Sequence, residues 1–366
     1  MVKRLSSSFA FLLLLSHGLT AMDDVPNVPA RRTRNVFRAA TAATMALLLA
    51  GTVGAQDLSK SSCFGAESGE ACVDCRASLA KVRFADYAAE GDLSRLGSML
   101  DCGIDVDVTD VMRRTALHRA ADAGQQEAVE LLVQRGAALE AKDFVGKTPL
   151  HAAAGKGHVD VVDRLLDLGA EIQARAERGD TPLHDAAMWA KPDAVRLLVS
   201  RGADVNARGV NDATPLIYAA ACMPAWHHRP FLDQCDEEVR VLLENGAEVN
   251  AQGIAGGTPL QIASFFGYEN MVRELLEHGA DVNKKNRKGL TALHQAAFGQ
   301  GDAVEIVRML REHGAIDVED EDGRTPAQIA ADEGHEELAE LLRSTSPHAC
   351  DDEPGKSWFS RLFGRR

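Results

Sequence analysis

The sequence predicts an all-α protein built as a stack of about eight two-helix units. The main observation is a tetrapeptide of the type Thr-Pro-Leu-His, which returns at intervals of 33, 33, 33, 44, 33 and 34 residues. A fixed period of this length indicates repeated supersecondary units rather than one globular core. Aromatic residues make up 5% of the chain, and Ala and Leu fill the apolar positions, which suits thin, closely packed helices. The seven motifs begin at Thr115, Thr148, Thr181, Thr214, Thr258, Thr291 and Thr325.

The segment 141–174 shows why each unit forms two helices. Thr148 is an N-cap whose hydroxyl accepts a hydrogen bond from a free backbone amide, and Pro149 follows where its missing N–H has no consequence. The segment 159–168 follows a glycine turn and has Val and Leu at the spacing of one helix face, which would point inward. Gly169 ends this second helix as a left-handed cap. So short a helix pair cannot bury its apolar face alone, and stacking must therefore stabilise it.

These motifs resemble the ankyrin repeat. TPLHAAA at 148–154 and TPLHDAA at 181–187 match the family pattern, whereas TALHRAA at 115–121 and TALHQAA at 291–297 differ by one residue. The similarity covers about residues 81–343, with a first unit that lacks Thr-Pro and a polar last unit, as capping units do. The resemblance implies a solenoid of about eight helix-turn-helix units with β-hairpin tips.

Residues 1–55 are predicted to form an export leader. A basic run at 31–38 precedes the uncharged segment 39–55, whose last residues, Val53-Gly54-Ala55, suit a signal peptidase. The alternatives are an uncleaved membrane anchor, for which 17 residues are marginal, an organelle presequence, and a segment without a targeting role. Export would place the chain in the periplasm or outside the cell. In that case it resembles an exported ankyrin-repeat protein of bacterial type.

The linker 56–80 contains three of the seven cysteines, Cys63, Cys72 and Cys75. Cys72 and Cys75 form a C-x-x-C pair, but a zinc site would need a second such pair, so no metal site is predicted. We expect a local disulfide instead, within the linker or to Cys102.

Charge and motif content exclude several functions. The net charge is −14, and because residues 1–55 carry six basic and two acidic residues, the remainder carries −18. Such an acidic body repels phosphate backbones, so nucleic acid is not an expected partner. The motif histidines share one register position, where an imidazole ties a helix start to the adjoining turn. Because no catalytic or phosphate-binding constellation accompanies them, we predict neither an enzyme nor a cofactor. These histidines are His118, His151, His184 and His294.

The resemblance implies that a partner protein binds at the tips and on the concave face formed by the first helices. Exposed aromatic side chains on one face are typical of interface hot spots. The alternative is that these large side chains fill gaps between units. The predicted tip residues are Phe144, Lys147, Arg178 and Arg287, and the predicted concave residues are Met188, Trp189, Phe265, Phe266 and Phe298.

The interval of 44 residues contains an insertion, 224–234, between the two helices of one unit. Cys222 and Cys235 flank it and are predicted to form a disulfide, which would stabilise the fold by about 3 kcal/mol. The insertion is either a contact site or a tolerated insert without a task; its two adjacent histidines are too few for a metal site. Its candidate contact residues are Trp226, His227 and Phe231.

The tail 344–366 ends in a basic segment with two i, i+4 apolar pairs, Trp358 with Leu362 and Phe359 with Phe363. Such a segment can lie on a membrane surface or in a partner's groove, or it can fray or fold back on the last unit. The predicted function is a protein–protein interaction scaffold. The alternatives are a membrane-associated structural element, held by the leader or the tail, and a secreted effector that acts on a host protein.

Overall fold

The computed structural model describes residues 78–222, 232–253, 255–299 and 303–345. All of them belong to one compact unit of the chain, Cys72–Arg366, and the other unit, Met1–Ala71, lies outside them. The helices of the described residues are α1 Ser78–Glu90, α2 Leu93–Asp101, α3 Ala116–Ala123, α4 Gln126–Gln134, α5 Pro149–Lys156, α6 Val159–Asp167, α7 Pro182–Met188, α8 Pro192–Ser200, α9 Pro215–Ala221, α10 Leu232–Glu244, α11 Pro259–Phe266, α12 Glu269–Glu277, α13 Ala292–Phe298, α14 Val304–Glu312, α15 Pro326–Asp332 and α16 Glu336–Ser344.

Each motif threonine begins the first helix of its unit, as predicted. Thr258 shows the geometry: its hydroxyl accepts the Gln261 N–H at 3.3 Å, and its own N–H donates to Gln261 Oε1 at 3.2 Å. This reciprocal capping box satisfies two backbone amides that the helix leaves unpaired. Thr214 caps the Ile217 amide at 3.4 Å without a return bond, because Ile217 has no acceptor.

The helices stack in two rows. The first helices, α1, α3, α5, α7, α9, α11, α13 and α15, contact their neighbours in sequence, and the second helices do the same in a parallel row. One cluster of buried apolar side chains runs from Phe84 in α1 to Leu342 in α16. Alanines of the Ala-Ala pairs are fully buried between the first helices, and their small size allows this close packing.

The tips have the predicted chain reversal but contain no strand within the described residues. At the third tip, Asp143 N–H donates to Lys147 O at 3.0 Å, while Asp143 Oδ1 accepts the Val145 and Lys147 amides at 2.9 and 2.8 Å. The carboxylate therefore takes the bonds that a strand ladder would use, which is why the tip is a tight turn. Gly146, at φ +79°, adopts the left-handed conformation that the turn requires.

The units at the two ends are complete. The first consists of α1 and α2 without a Thr-Pro motif, and the last consists of α15 and α16, so the described repeats run from Ser78 to Ser344. The leader, the linker cysteines and the tail residues after 345 lie outside the described residues. Within the described ranges, no helix is both long and apolar enough to cross a membrane.

Candidate binding groove

The motif histidine joins successive units. Thr148 N–H donates to His151 Nδ1 at 3.2 Å, so Nδ1 is the acceptor and the ring proton is on Nε2, which donates to Asp180 O at 3.1 Å. Burial lowers the pKa of His151 to about 4, because its effect exceeds the opposite effect of the hydrogen bond to the Asp180 carbonyl. Gln261 occupies the same register and donates through Nε2 to Leu290 O at 2.9 Å. The histidine role is therefore structural, and a neutral amide can fill it.

Beside these histidines, the first helices of three successive units, α3, α5 and α7, and the tips that precede them line a groove of about 470 Å³. Four basic side chains face the groove, although acidic residues outnumber basic ones in the whole chain, 54 to 40. Three of the four have an acidic partner; Lys191 has no ion pair among the described residues. The four basic residues are Arg114, Lys147, Lys156 and Lys191.

Lys147 and Asp185 form the ion pair in the floor of the groove. Lys147 Nζ lies 2.6 Å from Asp185 Oδ1, and the Asp185 side chain is 3% exposed. Burial raises the Asp185 pKa to about 6, although the Lys147 charge opposes this rise. Asp185 Oδ2 has no hydrogen-bond partner among the described residues. The groove therefore contains a buried carboxylate that only one lysine stabilises.

Trp189 provides the exposed aromatic surface of the groove. It follows α7 directly and is 47% exposed. Its indole lies over Gly155 of α5, where a Cβ would stand 3.4 Å from Trp189 Cδ1, so the glycine leaves room for the ring. Met188, the last residue of α7, is only partly buried. Of the predicted pair, Trp189 lines the groove formed by the first helices, and Met188 is not among the groove residues.

The three predicted phenylalanines of the concave face are partly buried. Phe265 packs edge-to-face on Phe266, with ring centroids 5.0 Å apart. Phe298 packs against the apolar core, and the Arg324 guanidinium lies 5.7 Å from its ring centroid. These rings do not reach the groove around Trp189, which α3, α5 and α7 form.

Three of the four predicted tip residues are exposed, and the fourth, Lys147, is partly buried and paired with Asp185 in the groove. Phe144, Arg178 and Arg287 are exposed, and Arg287 N–H donates to Ala255 O of the neighbouring tip at 3.2 Å. The insertion residues Trp226, His227 and Phe231 lie outside the described residues. Cys222 and Cys235, which flank them, are buried, and their sulfur atoms lie 2.00 Å apart, so the structure contains the disulfide.

Several groove residues were not predicted from the sequence. Asp185 stands at the variable position of the motif, four residues after Thr181, and only its distance from Lys147 reveals its role. Lys156 is the last residue of α5 and Lys191 directly precedes α8, and neither position carries a sequence signal for binding. One usable signal was Gly155, because a glycine inside a helix often marks a close approach. Among the described residues, no cluster of acidic residues, histidines and cysteines could hold a metal ion.

The chain matches the family model described as ankyrin repeats in three copies. The matches overlap along almost the whole described region, at residues 85–176, 145–209, 173–251, 207–286, 231–322 and 280–351.

Solved structures with the same fold include the human ASB11 ankyrin repeat domain, at 25% identity and a TM-score of 0.54, which covers 63% of this chain and 97% of that one. The ankyrin repeat domain of Bcl-3, a member of the IkappaB protein family, matches at 30% identity and a TM-score of 0.50, and covers 62% and 97%.

Among curated proteins, serine/threonine-protein kinase 12 of Arabidopsis thaliana is 45% identical over 56 residues, 15% of this chain and 12% of that protein. The chain thus spans about an eighth of the length of this relative. The family model, in contrast, covers well over half of the chain. Together with the stacked helix pairs, this match shows that the chain belongs to the ankyrin-repeat family.

Proposed function

We propose that the protein binds another protein in the groove between α3, α5 and α7. Trp189 is the observation that carries this proposal: a large aromatic side chain stays half exposed in a concave surface, next to a glycine that makes room for it. Interface hot spots are enriched in tryptophan and lie in pockets that become dry on binding. Ankyrin repeats in general serve protein–protein interaction, which agrees with this assignment.

The charges of the groove indicate how the partner is held. Among the described residues Lys191 has no ion pair, and Lys156 lies 3.7 Å from Asp122, a loose contact, so both ammonium groups can pair with carboxylates of a partner. Arg114 and Lys147 are already engaged by Asp110 and by Asp185. We infer that the partner segment places an apolar side chain on Trp189 and an acidic one near Lys191. According to this proposal, the protein is a non-enzymatic scaffold.

The experiment starts with a pull-down that uses the full chain in extracts of its native compartment. Each captured partner is then measured against Trp189→Ala and against Ile316→Ala, a matched control at another exposed apolar residue. We expect Trp189→Ala to weaken binding by about tenfold or more and to leave the melting temperature nearly unchanged. Full binding together with a lowered melting temperature would show that Trp189 fills a gap between units.

We also propose that the protein is exported to the periplasm or secreted. The buried Cys222–Cys235 disulfide supports this, because such bonds persist mainly in oxidising compartments. N-terminal sequencing of the mature protein tests it: a start near residue 56 is expected, and an intact leader would instead support a membrane anchor. A membrane contact through the tail stays a prediction, which vesicle co-sedimentation of the full chain and of a chain ending at Pro347 can test.

A further inference from the structure

Two neighbouring tips present an apolar patch to solvent. Val111 and Met112 form the second tip, and Phe144 and Val145 form the third; all four are exposed, Val111 at 95% and Phe144 at 57%. The tips touch each other, because Phe144 N–H donates to Met112 O at 2.9 Å. We refer to these four residues as the tip patch.

The fold does not require apolar residues at these positions. The same register carries the charged pairs Glu177-Arg178, Arg287-Lys288 and Glu321-Asp322 in three other tips of this chain. Those tips make the same inter-tip bonds: Glu177 N–H donates to Val145 O at 3.1 Å, and Glu321 N–H donates to Lys288 O at 3.1 Å. The fold thus does not depend on apolar side chains at these tips, and exposed apolar side chains grouped on a surface are typical of an interaction site.

The backbone of the two tips restricts the form of that molecule. The Phe144 amide and the Met112 carbonyl bond to each other, and the Val145 carbonyl accepts from Glu177. Asp110 and Asp143 accept further tip amides, from Met112 at 2.8 Å and from Val145 at 2.9 Å. Because these groups bond to each other and to side chains, the two tips do not offer the continuous row of unpaired amides and carbonyls with which a partner strand would pair. An amphipathic helix needs no such row, since it satisfies its own backbone and offers only side chains.

The charges at the border of the patch indicate the partner's polar residues. Arg113 is exposed and has no ion pair among the described residues, and Lys142 is exposed with its Nζ on the Arg175 carbonyl at 3.1 Å. The patch's own acidic side chains, Asp110 and Asp143, are engaged by the tip amides, and the exposed pair Glu177-Arg178 of the next tip adds one charge of each sign. Arg113 and Lys142 therefore leave the border of the patch with an excess of positive charge, which fits carboxylates at the edge of the helix.

We propose that the tip patch binds the apolar face of an acidic amphipathic helix of a partner protein. This inference rests on the proposed function as a protein-binding scaffold but assigns a second surface, separate from Trp189. Each apolar pair occupies one tip, so the helix lies along the direction in which the tips follow each other. Its apolar stripe covers Val111 and Phe144, and its flanking carboxylates reach Arg113 and Lys142.

The test is selection from a displayed library of helical peptides of about five turns against the full chain. Selected peptides are then measured on a variant in which Val111→Glu, Met112→Arg, Phe144→Glu and Val145→Arg copy the natural tip Glu177-Arg178. We expect enrichment of peptides with an apolar stripe bordered by Asp and Glu, and a loss of affinity of about tenfold or more in this variant. Ile316→Arg is the matched control, for which no loss is expected, and unchanged melting curves would show that both variants fold.

Three results would overturn the proposal: no peptide whose binding depends on the patch, enrichment of basic or non-helical peptides, or patch-dependent binding of phosphatidylserine vesicles in the absence of any such peptide. Trp189→Ala separates the two assignments. Peptides that depend on Trp189 and not on the tip patch would leave the proposed function standing and end this inference. Peptides that depend on the tip patch and not on Trp189 would support this inference and leave the assignment of the groove without support.

Discussion

Lys147 precedes the motif threonine of one unit, and its ammonium lies 2.6 Å from the carboxylate of Asp185, four residues after the motif threonine of the next unit. The following pair of units repeats this relationship: Tyr218 Oη donates to Asp180 Oδ1 at 3.2 Å. The residue before each Thr therefore faces the fifth motif position of the next unit. This register places variable side chains in contact along the concave face without disturbing the capping threonines.

The Lys147–Asp185 pair makes a pH-dependent prediction. Because the folded-state pKa of Asp185 is raised to about 6, its contribution to stability is present below its ordinary pKa and is lost as pH rises through about 6. Lys147→Ala removes the cation that limits this loss. We expect the unfolding free energy to fall by about 1–3 kcal/mol at pH 8 and little at pH 5, measured by urea denaturation. The double variant Lys147→Ala/Asp185→Ala should recover most of the lost unfolding free energy, since Ala152 fills the position equivalent to Asp185 one unit earlier. If Lys147→Ala lowered the unfolding free energy equally at both pH values, the pH-dependent role of this pair would be contradicted.

The motif histidines predict the opposite pH trend. Burial depresses the His151 pKa from 6.5 to about 4, so the unfolded chain binds the proton first and stability is lost as pH falls through this window. His151→Gln, which copies Gln261, should reduce the drop in unfolding free energy between pH 7.5 and pH 5 by about 1–2 kcal/mol. Equal pH profiles for His151→Gln and the wild type would show that the folded and unfolded chains protonate the ring equally, so that burial does not depress its pKa.

Glu238 is a buried acid at a core position. Ala194 and Met271 occupy the same register in neighbouring units, whereas neither carboxyl oxygen of Glu238 has a side-chain hydrogen-bond partner among the described residues, and only the Lys191 backbone N–H and charge favour its ionised form. Burial raises its pKa well above 4.5, so the contribution of Glu238 to stability declines as pH rises above that value. Glu238→Met should raise the unfolding free energy by about 1–3 kcal/mol at pH 8, with a smaller gain at pH 5. Destabilisation at both pH values in thermal and urea melts would indicate a partner for this carboxyl.

The disulfide closes the insertion, and we can state how much unfolding free energy its removal should cost. Cys222→Ser/Cys235→Ser opens a loop of 13 residues in sequence separation and should lower the unfolding free energy by about 3 kcal/mol under non-reducing conditions. With reductant present, the wild type should approach the variant. Mass spectrometry of protein from its native compartment provides the check, and two free thiols there would contradict the proposed bond.

Much of the fold could be predicted because its signals are local. A threonine cap, a proline at the first helical position and a glycine at the helix end each act within a few residues, so the positions of α5 and α6 follow from 141–174 alone. The tips show the limit of such reasoning. The Asp143 carboxylate accepts the amides that a strand ladder would need. This depends on three-dimensional distances, which the repeat period does not contain.

The sequence by itself determined the number of units, the role of the motif histidines and the place of Phe144 at a tip, because a strict period assigns every residue a place in the unit. Only the tertiary structure decided which side chains from different units meet. Lys147 reaches Asp185 across 38 residues, and the apolar tips at 111–112 and 144–145 become one surface, because stacking brings distant segments to hydrogen-bond distance. The period specifies the repeated positions, and packing between the units specifies the contacts from which a binding surface is made.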